Sequence, residues 1–153
     1  MGEFTGPLIL KLLDTEKDAK RFVVFAPFVY FIDKPDGDVK VKVPAGFKTD
    51  FASVPRLLWS VLPPVGLYSK AAVVHDYLCE HGVVWTSCVE DLPPSCWESA
   101  NSTCWHGWKE RRITRREADR IFRDAMKVLG VGWLRRNIMF AGARLYSILT
   151  FKK

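Results

Sequence analysis

The sequence lacks two features of exported and membrane proteins. It has no apolar run long enough to span a bilayer, and its start, which includes Glu3, has neither the basic residues nor the apolar core of a signal peptide. It also lacks internal repeats and low-complexity tracts, and 48% of its residues are apolar while 26% are charged. This composition is typical of globular rather than disordered proteins. We therefore expect one domain, residues 1–153, in a soluble protein kept in a cytoplasm.

Cysteine is scarce and irregularly spaced. The four cysteines, Cys79, Cys88, Cys96 and Cys104, are nine, eight and eight positions apart, which fits none of the common C-x₂₋₄-C zinc ribbons. Two disulfides would need an oxidising compartment, so free thiols are the expected state unless the protein is carried in a virion. Zinc is the weaker alternative, bound by Cys88, Cys96, Cys104 and His106.

Acidic residues are scarce in the C-terminal third. Residues 1–108 hold ten Lys and Arg against thirteen Asp and Glu, whereas residues 109–153 hold thirteen against four. A solvated, basic helix face is the simplest interpretation. The alternatives are contacts with an anionic surface, nucleic acid or an acidic partner. The pairs Arg115-Arg116 and Arg135-Arg136 are too few to favour nucleic acid.

The first third of the chain predicts antiparallel strands. Val39–Val43 alternates apolar and basic residues, as a strand with one solvated face does, and Asp36-Gly37 before it is a strong hairpin signal. Three earlier runs rich in Leu, Val and Phe predict further strands, at residues 8–13, 21–26 and 28–32. Residues 1–45 are thus expected to form a β-meander, and residues 46–68 an irregular loop.

A helix over residues 69–81 is the element around which the chain is organised. Ser69 is a good N-cap, and the residues that follow at the spacing of one helix face are Ala71, Val74, His75 and Leu78. His75 therefore lies in an apolar stripe, where each ring nitrogen needs a hydrogen-bond partner. Asp76 lies about 100° round the same helix, at the edge of the stripe.

Two further helices are predicted over residues 114–151. Thr114 and Glu117 form a capping box that opens the first, and Asp119 lies at the margin of its buried stripe. The last helix is expected to bury the face formed by Leu134, Ile138, Ala141, Leu145 and Ile148. The fold class is therefore α+β, an N-terminal antiparallel meander followed by a layer of three helices.

Residues 82–108 interrupt this pattern. They hold three of the four cysteines and four tryptophans, with no periodicity, which predicts a Cys/Trp-rich loop inserted at the surface.

The strongest chemical constellation joins two helices. Asp119 is expected to face His75, fixing its tautomer so that the other ring nitrogen can take a proton from water. Asp76 would bind a hard divalent cation, and Asp50, Ser53 and Tyr77 would complete the site. No base adjoins Ser53, which makes a serine nucleophile a weak interpretation against a turn or cap.

The structural alternative needs no chemistry. In it His75 is a buried histidine satisfied by Asp119, and the aspartates form surface ion pairs such as Asp119 with Arg123.

Three separated motifs resemble an uncharacterised family that is common in phage and prophage genomes. They are GFKTDFASVPR at residues 46–56, AVVHDYL at residues 72–78 and EADRIFRDAM at residues 117–126, and the resemblance spans roughly residues 40–145. The segment 82–108 departs from that family, whose members join these helices more briefly. The resemblance implies a phage-encoded protein, without an established activity.

A second, local resemblance is to the secreted phospholipases A2. In that family a histidine activates water, the next aspartate binds calcium and a distant aspartate orients the histidine, roles that fall by position on His75, Asp76 and Asp119. The paired cysteines and glycine-rich calcium loop of the family are missing here.

We therefore expect a small phage-encoded hydrolase with a His75–Asp119 dyad, which acts on a lipid, another ester or a cell-envelope bond. Calcium or another divalent cation at Asp76 would assist it. The alternative is a non-enzymatic phage protein, a virion component or a binder of a host factor, in which the same residues form a structural polar network. Its expected place is the cytoplasm of the infected or lysogenic host, or the virion.

Overall fold

The computed structural model of the chain describes residues 2–13, 22–51, 66–87, 104–105 and 107–150. Its architecture is α+β, with antiparallel strands followed by three helices, as the sequence predicts. The strands are β1 (Glu3–Phe4), β2 (Leu10–Leu12), β3 (Phe22–Val24), β4 (Phe28–Phe31), β5 (Val39–Val43), β6 (Lys48–Thr49), β7 (Val83–Ser87), β8 (Cys104–Trp105) and β9 (Trp108–Arg112). The helices are α1 (Ser69–His81), α2 (Arg115–Val128) and α3 (Trp133–Thr150). Within these described ranges, no helix is both long and apolar enough to cross a membrane.

The strands that the structure describes are shared between two antiparallel sheets. The larger has the order β1-β4-β5-β7-β9-β8 and the smaller the order β2-β3-β6. The predicted hairpin joins β4 and β5, and Asp36 in its turn has the left-handed φ of 49° that such a turn favours. The predicted strands are therefore present, but β2 and β3 leave the expected meander because β3 pairs with β6 instead of β4.

The segment predicted as one surface insertion, residues 82–108, begins and ends in the larger sheet. β7 pairs along its whole length with β9, and at Trp85 and Thr86 it also pairs with β5. Val83–Ser87 is rich in β-branched and aromatic residues, but five residues are too few to show a clear alternation. The prediction was therefore wrong for residues 83–87, which form an interior strand. Residues 88–103 and 106 lie outside the described part of the chain.

The two helix starts follow different rules. Thr114 and Glu117 form the predicted capping box, in which the Thr114 hydroxyl accepts from the Glu117 N–H at 3.2 Å. Ser69, however, is the first residue of α1 and not its cap, since Tyr68 occupies the N-cap position without a side-chain bond. The Ser69 hydroxyl instead accepts from the Gly66 N–H at 2.9 Å, which closes the turn that precedes the helix.

The core lies between the larger sheet and the helices. α1 contacts β5 and α2, and α2 contacts α3. Its largest fully buried side chains come from both layers and include Tyr30, Val41, Val73, Leu78, Phe122, Met126 and Met139. This packing places the buried stripe of α1, with His75, directly against α2.

The buried face of α3 is not the predicted one. Leu134 and Leu145 are 64% and 59% exposed, while the buried residues are Met139, Ala143 and Ser147, on the opposite side of the helix. Both sides carry apolar residues, and periodicity locates a stripe without saying which stripe meets the core. The prediction was wrong because the contact with α2 decides the direction.

Truncation of α3 on its two sides should have unequal effects. Met139→Ala leaves a cavity in the core and should lower the free energy of unfolding by about 2 to 5 kcal/mol. Leu134→Ala shortens a side chain on the other side of the helix that is 64% exposed, and should change the free energy of unfolding by about 0.5 kcal/mol or less. Urea unfolding followed by far-UV circular dichroism measures both. Equal losses would place the wrong face of α3 in the core.

Candidate functional site

His75 and Asp119 meet at the contact between α1 and α2. The Nε2 atom of His75 lies 2.9 Å from Oδ1 of Asp119, although the residues are 44 positions apart. His75 is only 5% exposed and Asp119 is fully buried, and the imidazole ring packs against the ring of Phe122. The predicted hydrogen-bonding contact is therefore confirmed.

A third helix joins this pair. An Nη1 atom of Arg144, on α3, donates to Oδ2 of Asp119 at 3.2 Å. The structural alternative supposed an ion pair between Asp119 and Arg123, and this pair is not formed. Arg123 instead lies 4.0 Å from Asp124. One buried carboxylate thus links side chains from all three helices, His75 on one oxygen and Arg144 on the other.

The opposite charges of His75 and Asp119 stabilise each other. Burial lowers the pKa of His75, but hydrogen bonds to Asp119 and Cys79 and the negative charges nearby outweigh it and raise that pKa to about 9. Burial likewise raises the pKa of Asp119, and the bonds from His75 and Arg144 outweigh it, so this pKa is lowered. At neutral pH the pair is therefore an imidazolium and a carboxylate, the arrangement that a buried charge needs.

Cys79 is the nearest described thiol to the imidazole. It lies one helical turn after His75, with its Sγ 3.6 Å from Nε2 and 3.9 Å from Nδ1. The backbone carbonyl of Cys79 also accepts a hydrogen bond from Arg115 at 3.2 Å. This cysteine is half-buried and is free of any disulfide.

A pocket of about 230 Å³ opens on this side of α1. Its lining residues are Lys48, Thr49, Asp50, Asp76, Cys79 and Glu80. Cys79 both lines the pocket and contacts His75, so it connects the pocket to the buried pair. Asp50 and Asp76 accordingly lie together, as the sequence predicts, and they share the pocket with a third carboxylate.

The loop that carries Asp50 is tied to α1. The Thr49 hydroxyl donates to Oδ2 of Asp76 at 2.5 Å and accepts from the Phe51 N–H at 3.2 Å. Phe51 is buried and has a left-handed φ of 56°, which is strained for an aromatic residue. Such strain is often stored at functional sites, and here it is supported by the Thr49 hydrogen bonds.

The remaining predicted site residues are less informative. Tyr77 is buried edge-to-face against Phe47, with ring centroids 5.3 Å apart, and is not one of the residues that line the pocket. Ser53, Cys88, Cys96 and His106 lie outside the described residues, as does the side chain of Cys104. In the part of the chain that is described, no group of three or more His, Cys, Asp or Glu side chains is placed to hold a metal ion.

Sequence reasoning missed Thr49, Cys79 and Arg144 as members of the site. Cys79 follows His75 by four positions, a spacing that places both on one face of a helix and was available from the sequence. Thr49 precedes Asp50 in the first motif, but nothing local indicates its bond to Asp76. Arg144 has no local signal, because its position depends on how α3 packs on α2.

Comparison with known proteins finds similarity without an assigned activity. The profile of a family described as "Protein of unknown function (DUF1353)" matches residues 22–143, a range that contains His75, Asp76 and Asp119. The chain is 45% identical over 53 residues to "Uncharacterized protein y4jT" of Sinorhizobium fredii (strain NBRC 101917 / NGR234). Those residues are 33% of this chain and 16% of that protein, so the chain spans a small part of its relative. No solved structure matches the chain.

The raised pKa of His75 predicts a loss of stability at alkaline pH. The protonated His75 contributes to the free energy of unfolding. This contribution is fully present below the ordinary histidine pKa of 6.5 and disappears as the pH rises through about 9. A shift of this size corresponds to roughly 3 kcal/mol. Urea unfolding between pH 6 and pH 10 measures it, and His75→Gln, which cannot titrate, is the reference. If the difference between wild type and His75→Gln does not shrink with rising pH, the imidazole is not held as a cation.

Proposed function

The chain belongs to the DUF1353 family of proteins of unknown function, and we propose that it is a small hydrolase in which His75 activates water. The observation that carries this proposal is the 2.9 Å bond between His75 Nε2 and Asp119 Oδ1. Because Asp119 engages Nε2, the nitrogen that accepts the proton of water is Nδ1. Asp119 orients the ring and stabilises the imidazolium that forms.

The substrate enters from the pocket on the Asp76 side of α1. This pocket is next to Cys79, which contacts the imidazole, and it has the charged residues Lys48, Asp50, Asp76 and Glu80 in its wall. The resemblance of the dyad to phospholipases A2 favours a lipid or another ester, and a cell-envelope bond is the second choice. The motif resemblance to phage and prophage proteins makes a phage-encoded enzyme part of this proposal.

The predicted cation ligand, Asp76, accepts a hydrogen bond from Thr49 on one oxygen of its carboxylate. Within the described ranges, no group of three or more His, Cys, Asp or Glu side chains is placed to hold a metal ion. We assign no step of the reaction to calcium, and the chain's own imidazole carries the proton transfer.

A water-activating role has a consequence for pH. Only the neutral imidazole can accept a proton, and with a pKa of about 9 most of His75 is protonated at neutral pH. The rate should therefore rise with pH up to about 9 and then level off.

The second candidate is a non-enzymatic protein in which these residues hold the helices together. The bond from Arg144 to Asp119 favours it, since it makes the carboxylate a bridge between three helices. In this case His75 stays an imidazolium at neutral pH and transfers no proton, and the protein acts as a virion component or a binder of a host factor.

Substitution of His75 separates the two candidates. For a hydrolase, His75→Ala should lower the rate by about 10² to 10⁴, because the group that takes the proton is gone. Asp119→Asn should lower it less, through loss of orientation and charge. His81→Ala is the matched control, since His81 is on the same helix and packs edge-to-face against Tyr77. The measurement is a panel of phospholipid and carboxylic ester substrates from pH 7 to pH 9.5, with melting temperatures recorded for each variant.

Two outcomes would count against the hydrolase. One is a wild-type chain without turnover in the whole panel, while His75→Ala and Asp119→Asn lower the melting temperature strongly. The other is turnover by His75→Ala equal to that of the wild type. The first outcome is the one expected of the structural network.

A further inference from the structure

Cys79 is a nucleophilic side chain that the hydrolase proposed above does not use. Its sulfur lies 3.6 Å from Nε2 and 3.9 Å from Nδ1 of the His75 imidazole. Nε2 is bonded to Asp119 at 2.9 Å, so Nδ1 is the ring nitrogen that can exchange a proton with the thiol. Cys79, His75 and Asp119 therefore follow one another in the order of nucleophile, base and orienting carboxylate.

The thiol lies between the imidazole and the pocket. Cys79 is half-buried and lines the pocket of about 230 Å³, whereas His75 is only 5% exposed and is not among the described residues that line it. A substrate in the pocket can therefore contact the sulfur directly, while the imidazole lies behind the pocket wall. A cysteine that only packs at a helix contact has neither a pocket beside it nor a base within reach.

Two bonds to α2 fix the thiol and the imidazole relative to each other. His75 is held through Asp119, and the carbonyl oxygen of Cys79 accepts from Nη2 of Arg115 at 3.2 Å. Because both partners belong to α2, the turn of α1 that carries the thiol and the imidazole is held against one neighbouring helix. Catalytic groups need such support, because their reaction depends on a fixed mutual geometry.

We propose that Cys79 is the catalytic nucleophile of this site and that it accepts the acyl group of an ester bound in the pocket. The inference rests on the proposed hydrolase function and changes the order of events in it. His75 activates the thiol first and water second.

The reaction has two halves, acyl transfer and hydrolysis. The sulfur attacks the carbonyl carbon and forms an S–C bond, while its proton passes to Nδ1 of His75. The C–O bond to the alcohol breaks, and the departing alkoxide takes that proton. Water then attacks the thioester and gives a proton to Nδ1, and the sulfur takes this proton back as the S–C bond breaks. The products are an alcohol and a carboxylic acid, and the thiol is restored without an oxidant or a reductant.

An activated ester, p-nitrophenyl acetate, tests the acyl transfer directly. The native wild-type chain is mixed with the ester, quenched in acid and cleaved after glutamate. Cleavage at Glu80 separates Cys79 from the other three cysteines, so mass spectrometry of the fragments locates the acetyl group. We expect it first on Cys79. Neutral hydroxylamine should then remove it, because hydroxylamine cleaves a thioester but not an acetylated lysine such as Lys48.

Unfolding distinguishes an activated thiol from a bystander in the wild type itself. A half-buried bystander should be acetylated faster when the chain is unfolded in urea, because it becomes accessible. An activated Cys79 should instead be acetylated more slowly, because it loses its base.

Substitution of the base gives the second comparison. His75→Gln should lower the acetylation rate of Cys79 by about 10²-fold or more. His81→Ala is the matched control, since His81 is on the same helix and two positions from Cys79, and it should leave the rate unchanged. Circular dichroism checks that both variants are folded, and the urea comparison does not depend on them.

Turnover separates a failure of this inference from a failure of the proposed hydrolase. Cys79→Ala should lose the ester turnover of the wild type. If Cys79→Ala keeps that turnover while His75→Ala loses it, the water-activating hydrolase stands and the nucleophilic role of Cys79 is wrong. Acetylation of Cys79 that is no faster in the native chain than in urea, or that is unchanged in folded His75→Gln, would also overturn the role. Fast acetylation of Cys79 in a chain that turns over no ester would support the role and count against the hydrolase.

Discussion

The bridge from His75 through Asp119 to Arg144 is the interaction on which the helical layer depends. A fully buried carboxylate is costly unless both of its oxygens are satisfied, and here a histidine on α1 and an arginine on α3 each take one. The arrangement ties the three helices together through one carboxylate. A buried network of this kind adds less to stability than its contacts suggest, since desolvation offsets much of the attraction, but removing one member leaves an uncompensated charge.

Helix α1 is held on two sides by neighbouring residues. His75 is directed to α2, while Asp76, about 100° further round the helix, is bound by Thr49 at the end of the smaller sheet. The strained backbone at Phe51 follows directly after this contact. The buried pair and the pocket therefore lie on neighbouring parts of α1, and Cys79 connects them because it lines the pocket and contacts the imidazole.

Helix α3 has one face in the core and another in contact with solvent. Met139 and Ala143 face the core and Arg144 reaches the buried carboxylate, while Leu134 and Leu145 face solvent. Because α3 has apolar residues on both sides, its sequence does not show which side is buried, and the contact with α2 decides it.

Local features were decided by the sequence itself. The alternation of Val39–Val43 marks a strand to the residue, Thr114 and Glu117 open a helix, and His75 and Asp119 both lie on buried helix stripes. These features follow from contacts between residues no more than four or five positions apart. Such contacts depend on the local sequence alone. The tertiary structure alone decided that β7 enters the larger sheet, that Thr49 binds Asp76, that Arg144 completes the bridge, and which of two apolar faces of α3 meets the core. Each of these joins segments far apart in the chain, and periodicity gives the face of an element without naming what lies against it.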